Sequence, residues 1–235
     1  MDYNVIQPDY EIRAAARQQL SGRWGQMVFI FFIYGLIFLP YYFCSTVTNK
    51  SVTDYIFVPK YISDLNTILS ILVFVVSGPF ALGFAGLFIK RVRGGEVQLS
   101  DMFDGFKRFF PAFLLFLLVY IFTFLWTLLL IVPGIIKSIS YSMGYYILND
   151  NPGMSPLEAI KRSQIMMKGH KGQYFLLVLS FFGWALLAGL TLFIGCLWLS
   201  PYMNLSFANF YENLKKNQEK AAGAPTEEPA VNQAQ

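Results

Sequence analysis

A chain of 235 residues in which 55% are hydrophobic and 14% charged has too little polar surface for a water-soluble fold, and its apolar runs reach the roughly 20 residues needed to cross a bilayer. The formal net charge of +4 would suggest nucleic acid in a soluble protein, but here Lys and Arg act as loop charge that orients the spans, so no nucleic-acid partner is expected. Asp2, Asp9, Glu11, Arg13, Arg17 and Arg23 precede any sustained apolar run, which excludes a cleavable signal peptide and leaves the N-terminus retained.

Residues 1–25 carry an amphipathic helix that starts near Asp9 and sets Ile12, Ala16, Leu20 and Trp24 four apart, with Arg13 and Arg17 on the polar side. The first apolar span covers 27–45, bordered by Tyr41 and Tyr42, and residues 46–66 form a polar outer loop. A second span, 67–89, contains Ser77, Ala81 and Ala85 at four-residue spacing beside Gly78 and Gly86, a stripe that lets another helix approach closely. After Gly94-Gly95 comes the octapeptide Asp101 to Arg108, and its pattern returns as Ser155 to Arg162. Both read cap, any, apolar, acid, small, apolar, Lys, Arg, which places the acid one turn from the basic pair and predicts two short basic helices at a membrane interface. In the second, Ser155, Pro156 and Glu158 make a capping box with proline at the first helical position.

Each octapeptide feeds a long apolar run. Pro111 to Asp150 is about 39 residues, roughly 58 Å as helix, so it must cross twice, with the turn at Pro133-Gly134. That gives spans near 111–132 and 134–149. Tyr174 to Tyr211 repeats the arrangement with spans near 173–190 and 192–211 and a turn at Gly189 or Gly195. Residues 212–235 lose periodicity and read as a disordered cytoplasmic tail. The expected fold is therefore all-α: a polytopic membrane bundle of about six transmembrane helices in three hairpins, each preceded by an interfacial helix, with the transmembrane domain over 26–211. Placing both termini in the cytoplasm puts nearly every cation inside and leaves only Lys50, Lys60 and Lys137 outside or near the outer face.

Two constellations invite function. Lys107, Arg108, Lys161, Arg162, Lys168 and Lys171 are candidate contacts for anionic lipid headgroups, each contributing on the order of 1 kcal/mol near the surface; the simpler reading is orientation charge. Lys137, Tyr141 and Tyr145 lie four apart on the fourth span and Ser200 and Asn204 on the sixth, a candidate polar groove; the simpler reading is interhelical hydrogen bonding with Lys137 snorkelling outward. Every Asp and Glu falls outside the spans, which argues against ion-coupled transport. A single histidine, His170, makes no paired-histidine metal site, there is no Walker-type loop, and no Ser-His-Asp set can be assembled in the membrane. No cofactor, metal or catalytic residue is therefore expected. Cys44 and Cys196 read as small buried residues, with a disulfide as the alternative because both stand near outer ends of spans.

With Ile12-Arg13-Ala14-Ala15-Ala16-Arg17, Val97 to Arg108, Pro133-Gly134-Ile135-Ile136-Lys137 and Met154 to Gly172 occurring in order, the chain resembles the bacterial integral membrane family called domain of unknown function nine-seven-five, common in Gram-positive bacteria. The resemblance implies a multispanning plasma-membrane protein and carries no reaction, cofactor or catalytic residue. The expectation is a non-enzymatic protein of the bacterial cytoplasmic membrane, acting on the envelope through anionic lipids, protein partners or its own copies. Resistance or immunity to membrane-active peptides would be one such role. The rival is a facilitator or transporter subunit for a small or amphiphilic solute.

Overall fold

The computed structural model describes residues 7–48, 59–191 and 194–223, and within them the secondary structure is helical throughout. Lys50 and Asp54 of the expected outer loop, and the tail from 224 on, lie outside the described residues. In chain order the helices are α1 (Asp9–Leu20), α2 (Trp24–Val47), α3 (Lys60–Val92), a 3₁₀ helix (Leu99–Arg108), α4 (Phe109–Leu129), α5 (Ile131–Tyr141), α6 (Gly144–Asp150), α7 (Pro156–Met166), α8 (Lys171–Ser180), α9 (Phe182–Leu190) and α10 (Cys196–Gly223). Four stretches are long and apolar enough to cross a membrane: Trp24–Val47, Lys60–Val92, Leu99–Leu129 and Lys171–Leu190. Ile131 to Asp150 is interrupted, and α10 carries Ser200, Asn204, Ser206, Asn209 and Glu212 along its length.

Helix α3 organises the rest. Its 33 residues span about 50 Å, well beyond the hydrocarbon thickness, and its two halves live in different surroundings. Ile68, Ile71 and Leu72 are 55–63% exposed, whereas Leu82, Leu87, Phe88 and Ile89 are 1–2% exposed. The change comes at Gly78-Pro79. A Cβ on Gly78 would lie 2.5 Å from the Ala112 carbonyl oxygen of α4, and one on Gly83 would overlap the Met102 carbonyl, so backbone packs directly on backbone there. The close-approach face is thus Gly78, Gly83 and Gly86, with Gly86 against the Asn149 side chain. The Ser77, Ala81, Ala85 stripe faces elsewhere: Ala81 and Ala85 line a cavity.

The two octapeptides differ. Residues 155–162 open α7 as expected, with Ser155 Oγ accepting from the Glu158 amide at 3.3 Å and Pro156 in the first turn. Residues 101–108 are not an α-helix but part of the ten-residue 3₁₀ helix, and they do not lie alone on an interface. A Cβ on Gly105 would stand 1.8 Å from the Pro79 carbonyl and 2.7 Å from the Gly83 nitrogen. The tighter 3₁₀ winding, normally confined to runs of three or four residues, is held by this contact with α3.

Other boundaries move for local reasons. Helix α3 begins at Lys60, so the polar loop is shorter than 46–66. The α4–α5 turn falls at Leu130, which is extended (φ −160°, ψ 141°), and Pro133-Gly134 occupies the first turn of α5, where a prolyl ring is tolerated and glycine lets Thr127 come close. Helix α10 runs on to Gly223, with Leu214 at 1% exposure, so the tail does not begin at 212. Helix α1 buries Ile12, Ala16 and Leu20 completely, each large side chain contributing about 1.5–3 kcal/mol, and packs mainly on α10. Cys44 and Cys196 are both free.

A tyrosine-lined cavity above an ion network

Where α2, α3, α6, α8 and α10 meet, they form a half-open cavity of about 340 Å³. Phe31 and Tyr34 come from α2, Phe84 and Phe88 from α3, Tyr145 and Tyr146 from α6, Tyr174 from α8 and Phe207 from α10. Ser142 and Asn204 add polar groups, and no charged side chain is among the described lining. The break between α5 and α6 is part of the wall: Ser142 caps α5, its hydroxyl donating to the Ile139 carbonyl at 2.8 Å. Interrupted helices at membrane depth occur where the backbone is buried in protein or faces a cavity. The rings order one another, with Phe31 stacked on Phe84 at 5.2 Å and Tyr34 edge-on to the same ring at 5.1 Å.

Below the cavity the ends of α3 and α6 are tied by charge to the interior of α10. The Asp150 carboxylate is 6% exposed and accepts from Arg93 at 2.7 Å, from Lys215 at 2.7 Å and from the Tyr211 hydroxyl at 3.1 Å. Arg93 also holds Glu212 at 2.7 Å. Burial alone would raise the Asp150 pKa, but the hydrogen bonds from Arg93 and Lys215 outweigh it and hold the carboxyl below its ordinary value. Arg93 is raised in turn, first by its hydrogen bond to Asp150 and then by the one to Glu212. Tyr211 links network and cavity, its ring stacked on Tyr146 at 5.3 Å and 19°. On the far side of that ring pair, Tyr211, Asp150, Lys215 and Arg162 line a second groove of about 300 Å³ between α7 and α10.

The residues singled out from the sequence distribute unevenly over this geometry. Tyr145 and Asn204 line one cavity. Lys137 instead lies over the Trp126 ring, 4.8 Å from its centroid. Tyr141 is buried against Phe122, and Ser200 offers its carbonyl to the Asn204 amide at 2.9 Å. Among the basic set, Arg108 turns inward and donates to the Leu148 carbonyl at 2.8 Å, its pKa lowered by burial, while Lys107 pairs with Asp104 and Arg162 with Glu158. Lys161 and Lys168 are exposed, Lys171 is half-buried, and none of the three joins an ion pair among the described residues. Tyr34, Tyr146 and Tyr174 were not anticipated, whereas Ser142 stands on the polar face of the fourth span beside Lys137, Tyr141 and Tyr145; Tyr34 in the middle of the apolar run of 27–45 and the Tyr145-Tyr146 doublet were the available signals. Among the described residues no group of three or more His, Cys, Asp or Glu is placed to hold a metal ion.

The family model described as Protein of unknown function (DUF975) matches residues 1–140 and 128–218. The chain belongs to this family. No curated protein and no solved structure matches it significantly. The two DUF975 segments overlap at 128–140, the α4–α5 turn and all but the last residue of α5, so the family match covers both octapeptides, the cavity-lining residues and the Asp150 network. It assigns none of them a reaction.

Proposed function

We propose that this DUF975 protein is a non-enzymatic, six-span protein of the bacterial cytoplasmic membrane that acts on the envelope by engaging anionic lipid at its inner face, with resistance or immunity to membrane-active peptides as one role of that kind. The carrying observation is the gathering of charge at one end of the bundle. Arg23, Lys90, Arg93, Arg108 and Lys215 are taken up in pairs or carbonyl contacts, and Lys161, Lys168 and Lys171 remain uncommitted beside them.

The level of the inner boundary follows from Asp104 and Lys107, which are 52% and 78% exposed and have no place in hydrocarbon. Their 3₁₀ helix crosses α3 at Pro79 and Gly83, which leaves Lys60 to Pro79, about 30 Å of helix, as the spanning part of α3. Helix α4 from the same level has nearly the same length. The broken α5–α6 and the first half of α10 complete three hairpins in this reading, with both termini cytoplasmic and association with membrane proteins or further copies through the exposed apolar faces.

Spin-labelled lipid tests the headgroup contacts. In proteoliposomes the wild type should immobilise phosphatidylglycerol in preference to phosphatidylcholine, and the Lys161→Gln, Lys168→Gln, Lys171→Gln triple variant should lose the preference. An unchanged preference would remove the reading. A second reading, a facilitator for a small or amphiphilic solute, is favoured by one observation of its own: the cavity that holds Tyr145 and Asn204 lies against an interrupted helix.

A further inference from the structure

We infer that the cavity is a binding site for an uncharged amphiphile with an aromatic or cyclic body and a hydroxyl or amide group. The inference rests on the solute-binding reading and supplies its ligand class.

Three features carry it. First, the cavity has the volume of a small-molecule site: about 340 Å³ would hold roughly ten waters. Second, the hydroxyls of Tyr34, Tyr145 and Tyr146 make no hydrogen bond to any described residue, and Asn204 uses only its amide nitrogen, leaving its carbonyl oxygen open. None of these atoms is among the buried side-chain atoms left without a partner, so they face the open space of the cavity, where a ligand's hydroxyl or amide can replace water as their partner. Third, eight aromatic rings and no charge line the space, so a neutral ligand meets ring faces and scattered hydrogen-bonding groups, whereas an anion would shed its hydration against nothing.

Equilibrium binding of tritiated 1-naphthol to the full-length protein in nanodiscs, with protein-free discs subtracted, tests the site. One saturable site per chain is expected, and 1-naphthalenesulfonate should not compete. Ala81→Trp, which fills the space, should abolish the saturable component. Because that variant adds bulk to a helix interface, the Tyr145→Phe, Tyr146→Phe double variant is the second arm. It keeps the rings and should weaken 1-naphthol by about five- to tenfold per lost hydrogen bond while leaving naphthalene unchanged. The inference is overturned if the wild type shows no saturable binding, if the sulfonate competes equally, or if the double variant keeps its preference for 1-naphthol over naphthalene. Flux of 1-naphthol across proteoliposomes is read separately: saturable binding without flux keeps the site and removes facilitation.

Discussion

The two octapeptides have the same order of residue classes and reach different structures. Where the second has Ala159, fully buried but within an ordinary α-helix, the first has Gly105, pressed between the Pro79 carbonyl and the Gly83 nitrogen of α3. Where the second has Arg162, on the surface in a one-turn pair with Glu158, the first has Arg108, inserted against the last carbonyls of α6. A binary pattern selects which side chains face inward, but the backbone they face decides the winding. Helix α7 packs side chains against α6 and keeps its own hydrogen bonds; the 3₁₀ helix packs main chain against main chain and takes the narrower form.

The comparison breaks most sharply at its small residues. Gly105→Ala puts a methyl group inside the Pro79 carbonyl, and a backbone cannot move aside as a side chain does, so a loss above about 3 kcal/mol or no folded protein is expected. Ala159→Gly should cost only about 1–2 kcal/mol, from helix propensity and one buried methyl. Fluorescence-monitored size exclusion after a heating series reads both. Equal losses would mean that the two segments pack alike.

Asp150 joins the regions, since its partners come from α3 and α10 while Arg108 holds the two residues before it. Asp150→Asn should lose about 2–3 kcal/mol by removing the buried charge that Arg93 and Lys215 share. The pH dependence has a definite sign. A carboxyl held below its ordinary pKa adds stability above its unfolded value near 4 and loses it as pH falls through the folded value, so the wild type should melt progressively earlier below about pH 4 and Asp150→Asn should flatten that slope.

Smaller effects sharpen the same contrast. Arg108→Ala should cost about 1.5–3 kcal/mol through the carbonyls left unpaired, and Arg162→Ala less than about 0.5 kcal/mol, because an exposed pair is screened. Ser155→Ala should cost about 1 kcal/mol and loosen only the start of α7, seen as faster hydrogen exchange confined to the amides of residues 157–160.

Much of this architecture was legible in the chain. The period-four stripe of Ile12, Ala16 and Leu20 is buried completely, the Ser155 cap forms, and α6 stops at Asp150 ahead of Asn151-Pro152-Gly153. Local signals fix such features. The 3₁₀ helix was not legible, because Gly105 has meaning only once Gly83 lies opposite it, 22 positions away in sequence. The candidate groove shows the same limit: Tyr145 and Asn204 meet because α6 and α10 pack across α3, and Lys137 leaves the set because Trp126 across the hairpin offers it a ring face.

The central claim, that both basic segments share the cytoplasmic side, is tested most directly by single-cysteine labelling in a background lacking Cys44 and Cys196. With a membrane-impermeant maleimide, Glu96→Cys beside the first segment and Lys168→Cys beyond the second should react only after permeabilisation, and Thr53→Cys should react in intact cells. Labelling of Glu96→Cys or Lys168→Cys in intact cells would place a basic segment outside and contradict the account.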